Sequence, residues 1–130
     1  MENKTILLIE DNELNRKLVR AMLPKDKHQV LEAEDAETGV QLAQEYKPDL
    51  ILMDIQLPGM GGLSATRIIK KDSVLKDTPV IALTSYAMQG DEAEAREAGC
   101  DDYITKPIDR QRFLEAVSRF LKHDLVKNEP

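Results

Sequence analysis

Short, uninterrupted apolar runs alternate along this chain with stretches of helical periodicity. Residues 6–9, 50–53 and 80–83 are wholly apolar and bounded by polar or turn residues, which is the pattern of strands buried on both faces. Five strands are predicted, at residues 5–9, 29–33, 50–53, 80–83 and, more weakly marked, 102–104.

The intervening segments repeat at the helical period. After Asp109 as N-cap, Phe113, Val117, Phe120 and Leu121 recur at i, i+4, i+7 and i+8, a single apolar stripe. The first helix follows Asn12, carries Leu14, Leu18, Ala21 and Met22 on one face and stops before Pro24. Residues 35–46, 63–71 and 89–98 supply the other three helices. Pro48, Pro58, Pro79 and Pro107 all fall between elements or at a strand's start, where a missing N–H is harmless. Gly39 is the exception, inside the second helix at a cost of about 1 kcal/mol unless close packing on the sheet requires it.

Alternating strands and helices imply parallel strands, right-handed crossovers and helices on both faces. The predicted fold is therefore a doubly wound α/β sheet of five parallel strands with five helices, in the flavodoxin-like order 2-1-3-4-5. No internal repeat or low-complexity segment interrupts it. One domain is expected over residues 1–122, followed by a short polar tail at 123–130.

Composition narrows the function classes. The 130 residues are 42% hydrophobic and 32% charged, as in an ordinary globular domain. With 24 acidic and 18 basic side chains the net charge is −6, so direct binding to nucleic acid or an anionic membrane is not expected. Cys100 is the single cysteine; it excludes an intrachain disulfide and reads as a small buried hydrophobe in a reducing compartment. The N-terminus lacks a signal-peptide layout, and no apolar run approaches the roughly 20 residues of a membrane span. The expected location is cytoplasmic.

All strand C-termini of a parallel sheet share one edge, where ligands bind. Leaving those strands are Glu10-Asp11, Asp54, Thr84-Ser85 and Thr105-Lys106-Pro107. Each acid taken singly can be a solvated turn former, but together they place three carboxylates, a hydroxyl and an ammonium on one rim. Two carboxylates about 4 Å apart repel by about 4 kcal/mol at an effective dielectric near 20, so a cation is expected among them. An all-oxygen set without His or Cys selects a hard ion, and Mg²⁺ is the expected cofactor. Aspartate beside such an ion can accept a phosphoryl group. Asp49, Asp101 and Asp102 precede strands, at the opposite edge, and no chemistry is assigned to them. His28 and His123 are each expected to be solvated or half-buried.

The ordered set Glu10-Asp11, Asp54, Thr84 and Lys106-Pro107 resembles the response regulator receiver domain of bacterial two-component systems, over about residues 4–121. The segments from Leu50 to Gly59 and from Ala87 to Asp91 are similar to single-domain and hybrid-kinase receivers. The resemblance implies that Asp54 accepts a phosphoryl group from a phosphohistidine, with Mg²⁺ held by Asp11, Asp54 and the backbone carbonyl of Gln56, and by Glu10 through water. It implies that Thr84 and Lys106 bind phosphoryl oxygens and that small Ser85 leaves the group accessible; Lys106-Pro107 matches a bond that is typically cis in the family, and the sequence leaves the isomer open. Tyr103 matches the family's switch aromatic, a mechanically silent strand tyrosine being the alternative. Gln56 and Tyr86 match the positions that tune acyl-phosphate lifetime, and Leu14, Asn15 and Leu18 the face that meets the donor.

The expected function is a phosphorylatable switch, not a turnover enzyme, acting by protein contact or phosphorelay without an output domain of its own. A histidine kinase or histidine phosphotransfer protein is the expected partner, and the expected state is a monomer or weak dimer. A receiver module of a hybrid histidine kinase or longer regulator is the alternative. A flavodoxin-like FMN carrier is disfavoured, because the acidic loop Asp11-Asn12-Glu13 repels phosphate where that fold binds it. An aspartate-nucleophile phosphatase would carry a second Asp two residues after the first, where this chain has Gln56.

Overall fold

Consecutive residues within each central strand point to opposite sides of one sheet and enter different cores. A computed structural model describes residues 4–23, 28–57, 59–85 and 91–122. The elements run β1 (Lys4–Ile9), α1 (Glu13–Met22), β2 (His28–Ala33), α2 (Ala36–Tyr46), β3 (Leu50–Asp54), α3 (Gly62–Lys71), β4 (Val80–Thr84), α4 (Asp91–Ala98), β5 (Asp102–Thr105) and α5 (Arg110–Leu121). The strands are parallel in the order β2-β1-β3-β4-β5, as the alternation predicts. The helix stop at Pro24, Pro58, the fourth helix's expected start at 89–90, Tyr86, His123 and the tail from residue 123 lie outside the described residues.

On one side of the sheet, Leu7, Ile9, Ile51, Met53 and Ala82 pack with Val40 of α2, Ile69 of α3 and Ala95 of α4. On the other, Ile6, Leu8, Leu52, Ile81 and Leu83 pack with Val19 of α1 and with Phe113, Val117 and Leu121 of α5. Because both faces are covered, every residue of β3 and β4 is buried, which is why these strands read as unbroken apolar runs.

The N-caps expected at Asn12 and Asp109 form: their side chains accept the backbone N–H groups of Asn15 and Arg112. Asp35 does the same for Thr38 at the head of α2. Gly39 lies against β1, where an added Cβ would sit 2.7 Å from Ile9 Cγ1; close packing explains this glycine within the helix.

On α1, Leu14 and Leu18 of the apolar stripe are 64% and 51% exposed, and Val19, which the stripe omits, is the helix residue that is buried. Periodicity locates a stripe but does not say what covers it. Two expectations need correction. His28 is buried, since it opens β2 opposite Lys4 and does not lie in the preceding loop.

At the N-terminal edge of the sheet, acids serve as anchors. Asp49 accepts Thr5 N–H at 2.8 Å, and Asp101 accepts both Val80 N–H and Lys70 Nζ. Asp102 does not precede a strand; it is the first residue of β5 and is buried. Its carboxylate meets Arg112 at 3.0 Å, Arg119 at 3.0 Å and Arg96 at 3.7 Å. Burial raises the Asp102 pKa, but the Arg112 hydrogen bond, the Tyr103 N–H and the arginine charges outweigh it, so the carboxyl lies below its usual range.

Candidate functional site

The opposite edge gathers the predicted residues. Glu10 follows β1 and is fully buried, Asp11 beside it is exposed, and Asp54 ends β3 with 3% exposure. One carboxylate oxygen from each of these three lies within 4.8 Å of the others. Thr84, buried, ends β4, and exposed Ser85 follows it. Lys106 follows β5, its backbone N–H donating to Thr84 O at 2.6 Å, and the Lys106–Pro107 peptide is cis.

The two buried carboxylates, Glu10 and Asp54, are held by specific donors. Asn12 N–H donates to Glu10 Oε2 at 3.1 Å, and Gln56 N–H donates to Asp54 Oδ1 at 2.9 Å. The Lys106 ammonium lies 2.7 Å from Glu10 Oε1 and 3.7 Å from Asp54 Oδ2. Gln56 Oε1 accepts from both the backbone N–H and the hydroxyl of Ser85, at 3.0 and 2.7 Å.

These contacts divide the two buried acids. For Glu10 burial raises the pKa, but the bonds from Lys106 and Asn12 prevail and hold the carboxyl below its usual range. For Asp54 burial dominates, the neighbouring Glu10 adds to it, and the pKa is pushed up to about 6. The pair titrates as a unit, with the proton favouring Asp54. A cation joining the three acids would oppose that shift by favouring the charged carboxylate.

Sequence reasoning missed two residues here. Arg16 of α1 donates from NH1 to the backbone carbonyl of Glu10 at 2.8 Å and from Nε meets Glu32 Oε1 at 3.2 Å, tying the acidic loop to β2. Its signal was an arginine in the helical turn that follows the acid pair. At Gly62 a Cβ would stand 2.6 Å from Ile55 Cα and meet Asp54 O, so α3 closes on the main chain of the Asp54 loop only without a side chain.

Of the remaining predicted residues, Tyr86 lies outside those described. Tyr103 is half-buried and packs against the cluster that contains Ala95 of α4. Asn15 and Leu18 line a cleft of about 460 Å³ together with Met22, Lys106, Pro107 and Ile108. Leu14 stands exposed on the same helix. The donor set is all oxygen, so it fits a hard cation such as Mg²⁺.

Residues 6–118 match the response regulator receiver domain family. The chain belongs to that family. Its members are self-phosphorylating switches of bacterial two-component systems, not turnover enzymes. The receiver is 44% identical over 118 residues, 91% of this chain and 96% of the relative, to the polar-differentiation response regulator DivK of Brucella anthropi. Its structure is similar to the receiver domain of sensor histidine kinase PA1611 from Pseudomonas aeruginosa, which was crystallised with a magnesium ion in the active site cleft. That pair has 36% identity and a TM-score of 0.85, covering 93% of this chain and 99% of the other. It is also similar to the Saccharomyces cerevisiae Ssk1 receiver domain, co-crystallised with the phosphotransfer protein Ypd1, at 27% identity and a TM-score of 0.81, covering 91% and 88%. Among the described residues, no helix is long and apolar enough to cross a membrane.

Proposed function

We propose that this receiver is a signalling switch whose phosphoryl acceptor is Asp54. The observation that carries the reading is the Asp54 carboxylate, buried at the end of β3 beside Glu10, Asp11 and the Lys106 ammonium. An oxygen of Asp54 forms the bond to phosphorus as the bond to the donor imidazole nitrogen breaks, the imidazole leaving with the electron pair. Gln56 N–H fixes Oδ1 and so orients the carboxylate for that step.

Asp11, Asp54 and the Gln56 backbone carbonyl would hold Mg²⁺ directly, and Glu10 through water. When bound, Mg²⁺ neutralises charge on the transferring phosphoryl oxygens. The Lys106 ammonium pairs with one phosphoryl oxygen and the Thr84 hydroxyl donates to another. The β4 exit then moves inward, Ser85 with it, and Tyr103 follows to alter the β4–α4–β5 surface. Pro107 shapes the Lys106 turn, and Gln56 and Tyr86 tune the lifetime of the acyl phosphate.

The donor is a histidine kinase or a histidine phosphotransfer protein, meeting the receiver at Leu14, Asn15 and Leu18. Support comes from the exposure of both leucines and from the relative co-crystallised with a phosphotransfer protein. A second reading, a receiver module of a hybrid kinase or longer regulator, is favoured by the likeness to the receiver of a sensor histidine kinase. The same chemistry serves both.

Labelling by acetyl phosphate with Mg²⁺ tests the acceptor. Wild type should acquire one base-labile, hydroxylamine-sensitive phosphoryl group and Asp54→Asn none; undiminished labelling of that variant would move the acceptor to another residue.

A further inference from the structure

Gln56 holds two loops at once. Its main-chain N–H is bonded to Asp54 Oδ1, while its side-chain oxygen takes both donors of Ser85, 29 residues away. The orientation of the amide follows from chemistry: a backbone N–H can only donate, so the atom facing it is the oxygen. The other end of the amide is poorly served. Gln56 Nε2 is buried without a hydrogen-bond partner among the described residues, a costly state for a donor.

We infer that the Gln56–Ser85 contact is a latch that holds the β4 exit in its resting position and must open before Thr84 can engage a phosphoryl group on Asp54. The inference rests on the proposed acceptor role of Asp54. Ser85 directly follows Thr84, so the two cannot move independently. Gln56 is fixed to Asp54 through its main chain, so an inward shift of Ser85 strains the side-chain contact. Gln56 and Ser85 thus act as a single positioning unit, and the resting latch lowers apparent affinity for the phosphoryl group by the fraction of molecules it holds closed.

The sign of one substitution separates this from direct contact. If Ser85 Oγ simply bound the phosphoryl group, Ser85→Ala would weaken binding of beryllofluoride with Mg²⁺. The latch demands the reverse: half-saturation, followed by amide NMR on the full chain, at about fivefold lower beryllofluoride, the equivalent of one net hydrogen bond. Gln56→Leu should tighten binding likewise and speed hydrogen exchange at the Ser85 amide, and the double variant should add little to either single. Unchanged or weaker binding by Ser85→Ala, or additive effects in the double variant, would overturn the latch. Wild type that neither binds beryllofluoride nor labels with acetyl phosphate would instead overturn the acceptor reading beneath it.

Discussion

The Lys106 ammonium sits 2.7 Å from Glu10 and 3.7 Å from Asp54, so its principal partner is Glu10, not Asp54. Lys106→Ala leaves the fully buried Glu10 carboxylate without its countercharge. Metal-free stability should fall by about 3 kcal/mol, and saturating Mg²⁺ should restore more stability than it adds to wild type. Urea unfolding with and without Mg²⁺ checks both, and an equal Mg²⁺ effect in the two proteins would contradict the shared role of these charges.

Asp54 links stability to pH. Its folded pKa, about 6, lies above the ordinary value of 3.8, so the folded state binds the proton more tightly, and the associated stability is lost as pH rises through that window. Asp54→Asn without metal should therefore be more stable than wild type at pH 7.5. The advantage should shrink between pH 6 and 4 and vanish below, as followed by denaturant midpoints across pH.

Gly62→Ala should impair stability and chemistry together. The new methyl meets the main chain at Asp54 and Ile55, which cannot rotate aside as a side chain can. A loss of about 1–3 kcal/mol is expected, with slower acetyl phosphate labelling at a temperature where the variant remains folded. Normal labelling would show that α3 can shift without disturbing the Asp54 loop.

The donor face proposed on α1 can be tested separately from the chemistry. Leu18 lines the cleft beside Lys106 and Pro107 and is half exposed. Leu18→Asp should slow transfer from a phosphohistidine donor by about tenfold or more, with acetyl phosphate labelling unchanged. A parallel loss of both would place the defect in the fold.

At the far edge, Arg112→Ala should destabilise more than Arg96→Ala, because Arg112 contacts Asp102 at 3.0 Å and Arg96 at 3.7 Å. Asp102 lies below its usual range, so this contribution is present above the ordinary pKa of 3.8 and is lost as the carboxylate protonates on acidification. Both variants should label normally, and the difference between their urea midpoints should close toward pH 3.

Much of this was legible before any coordinates. Strands buried on both faces leave continuous apolar runs, and in a parallel sheet the residue leaving each strand belongs to the rim, so Glu10, Asp11, Asp54, Thr84 and Lys106 could be read in order. Contacts that depend on how helices rotate and loops meet could not. Val19, the buried residue of α1, lies outside the apolar stripe that the periodicity marks. The Gln56–Ser85 bonds, the arginines around Asp102 and the fit of Gly62 join positions whose approach no local pattern encodes.

The division of successive strand residues between two cores also keeps the acceptor in register. A one-place slip of β3 would send Leu52 and Met53 into each other's cavities and swing Asp54 round to the wrong side. Apolar packing thus helps index the strand that carries the carboxylate; an exchange of size between adjacent β3 side chains would mistune this edge without touching a single charge.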